Sequence, residues 1–98
     1  MNMEDLIRKV ILWGEDKKLN DSKAQLNKVL EEVGEIAHEI TRNRTDSAEL
    51  EDAIGDTLIT LIILAHICNK DVKKCLENAY NVIKERKGIT ENGTFVKI

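Results

Sequence analysis

The sequence predicts an all-α fold: a four-helix bundle that is completed by homo-oligomerisation and followed by a small C-terminal β-hairpin. Proline is absent and only five of the 98 residues are glycine, which suits long, uninterrupted helices. Apolar residues recur at helical spacing along most of the chain. The length allows a single domain, residues 1–98, and a domain of this size buries only a modest core, so association of identical chains is a natural way to bury more surface.

The first two helices are predicted from apolar spacing and from capping residues. Helix one is expected to run from Met3 to Trp13, with Asn2 as its N-cap and Gly14 ending it. A polar loop follows, and Asp21 or Ser22 is expected to cap a second helix over residues 23–42. The apolar stripe of that helix consists of Leu26, Val29, Leu30, Val33, Ala37 and Ile40.

The second half of the chain is predicted to hold two more helices and the hairpin. A connector over residues 43–46 should contain the cap of helix three, Thr45 or Asp46, and that helix should span about 47–68. Asp71 should cap a fourth helix that continues through about Lys87, where Gly88 stops it. Residues 88–98 hold an Asn-Gly pair, the strongest short signal for a β-hairpin.

Residues 57–65 form the most apolar segment of the chain. The segment is far shorter than the ~18 apolar residues that a membrane span requires, so no membrane partner is predicted. It is typical of a helix buried on most sides. One chain of this length has little material to cover such a helix, and we therefore expect a partner chain to pack on it, in a homodimer or homotetramer.

Charge and cysteine content narrow the function classes. The formal net charge is -3 and aromatic residues make up 3% of the chain, which argues against stable nucleic-acid binding, a role that favours basic excess and stacking side chains. The N-terminal residues are acidic and lack a cleavable apolar segment. Cys68 and Cys75 are the only cysteines and indicate free thiols in a cytoplasmic protein.

Two acidic clusters are the main chemical signal. On helix two, Glu32, Glu35 and Glu39 fall within a wedge of roughly 60°, beside the apolar stripe. On helix three, Glu49, Asp52 and Asp56 are spaced i, i+3, i+7 and share one face. A run of charged residues is ordinarily a solvent-exposed helix face. Taken alone, the first cluster favours that interpretation over a metal site.

The short connector brings the two clusters together. Helices joined by such a link are antiparallel neighbours, so position i faces roughly position 88 minus i. This places Glu32 opposite Asp56, and Glu35 opposite Asp52 or Ala53. Carboxylates that converge in this way repel one another unless cations are present, and such oxygen ligands suit Mg²⁺, with Mn²⁺ as the alternative.

These residues also carry a family resemblance. Glu31-Glu32-x-x-Glu35, followed by Asp52-Ala53-Ile54-Gly55-Asp56 at the start of an apolar helix, resembles the short stand-alone MazG-like nucleotide pyrophosphohydrolases of the all-α NTP pyrophosphatase superfamily. The likeness covers nearly the whole chain. It implies a Mg²⁺-dependent hydrolase that splits a nucleoside triphosphate into the monophosphate and pyrophosphate, and a helical homo-oligomer.

The resemblance implies roles for individual residues. Glu32, Glu35, Asp52 and Asp56 are the expected metal ligands, and Glu31 or Glu35 the expected catalytic base. The expected substrate-binding residues are Asn81, Lys84 and Arg86 for the phosphates and Trp13 for the base. For Trp13, core packing is the competing interpretation, and for the cations it is compensation of the helix dipole.

One position departs from the family pattern. The second family motif is E-x-x-D, yet Ala53 stands three residues before Asp56. Either Asp52 replaces the missing ligand, or Glu49-x-x-Asp52 is the working copy one turn earlier.

The base, the sugar and the number of metal ions stay open. Three alternative functions are a phosphoribosyl-ATP pyrophosphohydrolase, a non-enzymatic helical dimer or regulator, and a di-iron protein using Glu35-x-x-His38.

Overall fold

The computed structural model describes all residues, 1–98, and contains four helices followed by one hairpin. In chain order the elements are α1 (Met3–Asp16), α2 (Ser22–Thr41), α3 (Ala48–Ile67), α4 (Val72–Ile83), β1 (Gly88–Glu91) and β2 (Thr94–Lys97). The predicted all-α fold with a C-terminal hairpin is therefore confirmed. None of the helices combines the length and the apolar character needed to cross a membrane.

Side-chain caps begin all four helices, and Asp71 caps α4 as predicted. The side chain of Asn2 accepts a hydrogen bond from the Asp5 amide at 2.8 Å, as predicted, and Asp21 caps α2. The predicted caps of α3, Thr45 and Asp46, are wrong: Ser47 accepts from the Leu50 amide at 3.0 Å. Since α3 begins at Ala48, the hydroxyl one residue earlier is the group that reaches that free amide.

Gly14 does not end α1, contrary to the prediction. The helix continues to Asp16, and Gly14 is buried where α1 packs on α3. A Cβ atom at this position would lie 3.2 Å from Cγ1 of Ile63, closer than ordinary van der Waals contact. Glycine therefore serves the close approach of two helices here, and sequence spacing alone does not distinguish that role from a helix stop.

We expect Gly14→Val to destabilise the protein. The added methyl groups would meet the buried Ile63 side chain, and overpacking of this kind costs about 1–3 kcal/mol. Thermal or urea unfolding measures the loss. Gly34→Val is the control, because nothing lies within 4 Å of a Cβ at that exposed position. Equal destabilisation by both variants would contradict the proposed packing role.

The end of α4 also differs from the prediction. The helix ends at Ile83, not near Lys87, because the chain turns there into the hairpin, where the Lys87 carbonyl oxygen accepts from the Ile98 amide at 2.9 Å. Gly88 belongs to β1, where a Cβ would overlap the Val96 backbone oxygen and the Phe95 ring on the paired strand. Asn92 and Gly93 turn the hairpin with φ of 50° and 78°, the left-handed geometry expected of an Asn-Gly turn.

The antiparallel pair α2–α3 is the centre of the structure, and its inner seam is unusually polar. The α2 residues that face α3 follow a heptad spacing and are buried or half-buried: Gln25, Val29, Glu32, Ile36 and Glu39. In this seam the amide nitrogen of Gln25 donates to the backbone oxygen of Thr60 at 3.1 Å. Most of the predicted apolar stripe of α2 therefore does not face α3.

That stripe lies on the surface of the single chain. Its large members, Leu26, Leu30, Val33 and Ile40, are 45–59% exposed. On α3 a matching stripe of Ile54, Leu58 and Leu61 is also exposed. Helical geometry places both stripes on one side of the α2–α3 pair, and α1 packs over the other side.

An ion pair joins the start of α1 to the start of α4. The Lys73 ammonium donates to the Glu4 carboxylate, and this hydrogen bond, with the attraction of the opposite charges, lowers the pKa of Glu4 and raises the pKa of Lys73. A lowered carboxyl pKa contributes stability above the ordinary value of 4.5, and the contribution is lost as pH falls through the folded-state pKa. The pKa of Lys73 is raised above its ordinary value of 10.5, so the stability that the ion pair contributes is lost only as the pH rises through that raised pKa.

We therefore expect Glu4→Gln to lower the melting temperature slightly at pH 7, since both partners are exposed, and to have less effect at pH 3. Melting curves of the two proteins at both pH values measure this difference. Glu91→Gln removes the same charge from the exposed hairpin and is the matched control. A Glu4→Gln effect that is independent of pH would contradict the assignment.

Candidate active site

A cavity lies between α1, the loop after it, α2 and α3. Its volume is about 950 Å³, within the range of roughly 300–1,000 Å³ that ligand pockets occupy. The floor is apolar, and polar and charged side chains surround it. The lining residues that matter for function are Lys9, Trp13, Lys18, Gln25, Lys28, Glu32 and Asp56.

Glu32 and Asp56 meet at this cavity from facing helices. The Glu32 side chain is 13% exposed, and Asp56 is half-buried. Both line the cavity, as their positions on either side of the connector led us to expect. Each belongs to the predicted metal-ligand set, and each presents carboxylate oxygens beside a space large enough for a nucleoside.

The other predicted acids lie outside the cavity. Glu31, Glu35 and Asp52 are exposed, and so is the alternative ligand Glu49. Glu35 lies one turn from Glu32, and Asp52 one turn from Asp56, so each is a surface neighbour of a cavity acid. No three histidine, cysteine or acidic side chains are grouped closely enough to hold a metal ion.

Ala53 occupies the position at which the family motif has glutamate, and it is buried between the helices at 5% exposure. Its small side chain suits a close contact with α2. Asp52 lies on the exposed side of α3 and does not share the inward direction of Ala53. The small side chain therefore explains how α3 packs closely here. Asp52 is exposed and does not line the cavity.

Glu39 is a buried acid to which the sequence analysis gave no role. Its side chain is 5% exposed, and its carboxylate lies 3.5 Å from the Arg44 guanidinium and 3.5 Å from the Ser47 hydroxyl. Oε2 accepts no hydrogen bond. These contacts join the end of α2 to the connector and to the first residue before α3. The heptad spacing that includes Glu32 and Glu39 is the signal that could have revealed this inward face.

Lys28 is the cation nearest to the cavity acids. Its ammonium lies 3.4 Å from Oε1 of Glu31 and 3.6 Å from Oε1 of Glu32. The hydrogen bond to Glu31, supported by the charges of both acids, raises the pKa of Lys28. The acidic clusters led us to expect a metal ion as the cation here, and the spacing of Lys28, one turn before Glu31 and Glu32, is the signal that could have indicated this side chain.

The predicted substrate-binding residues fall into two groups. Trp13 lines the cavity and is 52% exposed, so it is not a core residue. Asn81, Lys84 and Arg86 are exposed at the end of α4, and none lines the cavity of its own chain. Lys84 lies 6.0 Å from the centre of the Tyr80 ring. The cations that do line the cavity are Lys9, Lys18 and Lys28.

The donor chemistry at the cavity fits a hard divalent cation. Mg²⁺ prefers oxygen ligands and is commonly held by one or two carboxylates, with water and substrate phosphates completing its coordination. Glu32 and Asp56 supply such a pair, and the neighbouring acids provide further oxygen donors within one helical turn. A softer metal would call for cysteine or histidine at the cavity, and neither residue lines it.

Comparison with known proteins agrees with this fold. The family model described as the MazG nucleotide pyrophosphohydrolase domain matches residues 20–88. A crystal structure titled as the Bacillus-conserved MazG protein, a nucleotide pyrophosphohydrolase, superimposes with a TM-score of 0.75 and 24% identity, covering 89% of this chain and 94% of that one. A search of curated proteins finds no match.

The fold and the matched family model define the class of protein as a nucleotide pyrophosphohydrolase. The match extends over more than half of the chain, which therefore belongs to the MazG nucleotide pyrophosphohydrolase family. It is accordingly an enzyme that acts on phosphorus anhydrides of nucleotides. The predicted family and enzyme class are confirmed.

Proposed function

We propose that this enzyme hydrolyses nucleoside triphosphates, ribo or deoxy, to the monophosphate and pyrophosphate in a Mg²⁺-dependent reaction, with Mn²⁺ as a possible substitute. The observation that supports the proposal is the placement of Glu32 and Asp56, from two facing helices, on one cavity large enough for a nucleoside. The family assignment favours this function over a non-enzymatic helical dimer or regulator.

Four acids are the proposed metal ligands: Glu32, Glu35, Asp52 and Asp56. Bound Mg²⁺ would supply charge neutralisation at the phosphates and a lowered pKa of the attacking water. Glu31 or Glu35 is the proposed general base, because both are exposed carboxylates within one turn of Glu32 and neither is enclosed in the helix contact.

Trp13 is the proposed contact for the base. Its half-exposed ring stands at the cavity wall, where an aromatic face can stack on any nucleobase. Asn81, Lys84 and Arg86 are proposed to bind phosphates. They do not line the cavity of their own chain. In the proposed oligomer they would lie beside the cavity of a second copy.

A second copy of the chain is the proposed partner of the exposed apolar side of α2–α3. Leu26, Leu30 and Val33 continue one heptad stripe, and Ile54, Leu58 and Leu61 continue the other. Monomeric proteins rarely leave contiguous apolar surface of this kind uncovered. Pairing of two such sides would form a four-helix arrangement in a homodimer, and two dimers could form a homotetramer.

We also propose a cytoplasmic location. Cys68 and Cys75 are both exposed and both free, which suits a compartment that keeps thiols reduced.

A panel of canonical and modified nucleoside triphosphates tests the proposed reaction. Phosphoribosyl-ATP is included, because the related phosphoribosyl-ATP pyrophosphohydrolases are the closest chemical alternative. The purified protein should release pyrophosphate and the matching monophosphate in equal amounts from at least one nucleoside triphosphate, and EDTA should abolish the release. Turnover of phosphoribosyl-ATP alone would favour the alternative, and orthophosphate as the sole product would contradict the proposal.

A further inference from the structure

Glu32 is the most enclosed of the predicted metal ligands, and its one ion-pair partner is a lysine. Its side chain is 13% exposed, whereas the Lys28 side chain that reaches it is 51% exposed. The same ammonium reaches Glu31, at 3.4 Å, so one cation bridges two adjacent acids. Lys28 and Glu32 both line the cavity. The positive charge of Lys28 therefore stands in the region that a divalent cation bound to Glu32 would have to enter.

We propose that Lys28 is a positioning residue that neutralises Glu31 and Glu32 when no metal is bound, and that a divalent cation displaces it from Glu32. This inference rests on the proposed metal site. The ammonium lies 3.6 Å from Oε1 of Glu32, and a metal ion on that same oxygen would repel it, so metal binding at Oε1 breaks the Lys28–Glu32 contact. The ammonium then keeps only its contact with Glu31, and its charge at the cavity is available to the anionic substrate.

A competing internal cation has a measurable consequence. An ion pair between partly exposed side chains is worth up to about 1 kcal/mol, or about fivefold in an equilibrium constant. Removal of the Lys28 charge should therefore tighten metal binding in the absence of nucleotide by about two- to fivefold. A lysine whose only role is to bind phosphate would leave metal affinity without nucleotide unchanged.

Mn²⁺ titration followed by electron paramagnetic resonance, with no nucleotide present, tests the inference. The variants are Lys28→Met, the charge-preserving Lys28→Arg, and Lys9→Met. Lys9 lines the same cavity without an acidic partner, so its loss reports the general effect of charge. The expected result is tighter binding of Mn²⁺ by Lys28→Met, little change for Lys9→Met, and an affinity near that of the unaltered protein for Lys28→Arg.

A second measurement follows Lys28 directly. Acetylation by a limiting amount of an amine-reactive ester, read by mass spectrometry, should rise at Lys28 on addition of Mg²⁺, because the ammonium loses one of its two acidic partners, Glu32. Acetylation at Lys23, which has no ion pair, should not change.

Failure of this inference can be told apart from failure of the metal site. If the unaltered protein binds Mn²⁺ and Glu32→Gln abolishes that binding, but Lys28→Met leaves it unchanged or weaker, the inference is overturned and the metal site stands. If the unaltered protein does not bind Mn²⁺, or Glu32→Gln binds it equally well, the metal site and the inference fall together.

Discussion

Glu32→Gln is expected to lower pyrophosphate release by at least about a hundredfold, with the fold retained. The carboxylate is the most enclosed oxygen donor at the cavity, and a metal ion at a phosphoryl site supplies several kcal/mol of stabilisation in the transition state, of which about 2.7 kcal/mol corresponds to a hundredfold. Glutamine keeps the size of the side chain but removes its charge. Steady-state release of pyrophosphate, with circular dichroism and melting curves to confirm folding, measures the effect.

Glu51→Gln is the matched control for this prediction. Glu51 is an exposed acid on α3 outside the predicted ligand set, so its loss alters net charge equally without touching the cavity. Its activity should be close to that of the unaltered enzyme. A folded Glu32→Gln protein that retains a tenth or more of the activity would show that Glu32 does not hold the catalytic metal.

The second large effect concerns the exposed side of α2–α3. The substitution pair Leu30→Glu and Leu58→Glu, made in one chain, should convert the proposed oligomer to monomers, because it places a charge in each of the two apolar stripes. Burial of two unpaired carboxylates in an interface costs several kcal/mol. Light scattering after size-exclusion chromatography measures the molar mass.

Leu12→Glu is the control for association. Leu12 is 56% exposed on α1, outside both stripes, so the same substitution there should leave the molar mass unchanged. A monomeric unaltered protein at micromolar concentration would contradict the proposed pairing. An oligomer that survives both glutamates would show that another surface joins the copies.

Local chemistry made the elements and their order predictable. Asn2 and Asp21 cap the helices that they were expected to cap, and Asn92-Gly93 turns the predicted hairpin. These signals depend on contacts between residues close in sequence, so no knowledge of tertiary packing is required. The predicted pairing of Glu32 with Asp56 at one cavity likewise needed only a short connector and helical spacing.

The structural features that were predicted wrongly or not at all are those that depend on tertiary packing. Gly14 has the position of a helix stop, but its role depends on Ile63, which is 49 residues away in sequence. The apolar stripe of α2 is the face that hydropathy alone would turn toward the rest of the chain. The structure instead turns the seam of Gln25 and Glu39 inward and leaves the apolar stripe exposed. A hydropathy pattern does not state whether the same chain or a second copy covers an apolar face.

The placement of the remaining acids also exceeds what spacing can predict. Two acids on one helical face differ in burial when the partner helix crosses only part of that face, as with half-buried Asp56 and exposed Glu49. Ala53 is buried at the inward position of α3, although its methyl side chain cannot bind a metal ion.

The position of the bound metal tests the central claim most directly. Titration of the isotope-labelled protein with Mn²⁺ broadens the amide signals of residues near the ion. We expect the broadening to centre on Glu32 and Asp56, to extend to Glu35 and Asp52, and to disappear in Glu32→Gln. Broadening centred elsewhere in the chain, or the same pattern in Glu32→Gln, would contradict a catalytic metal held by the facing acids of α2 and α3.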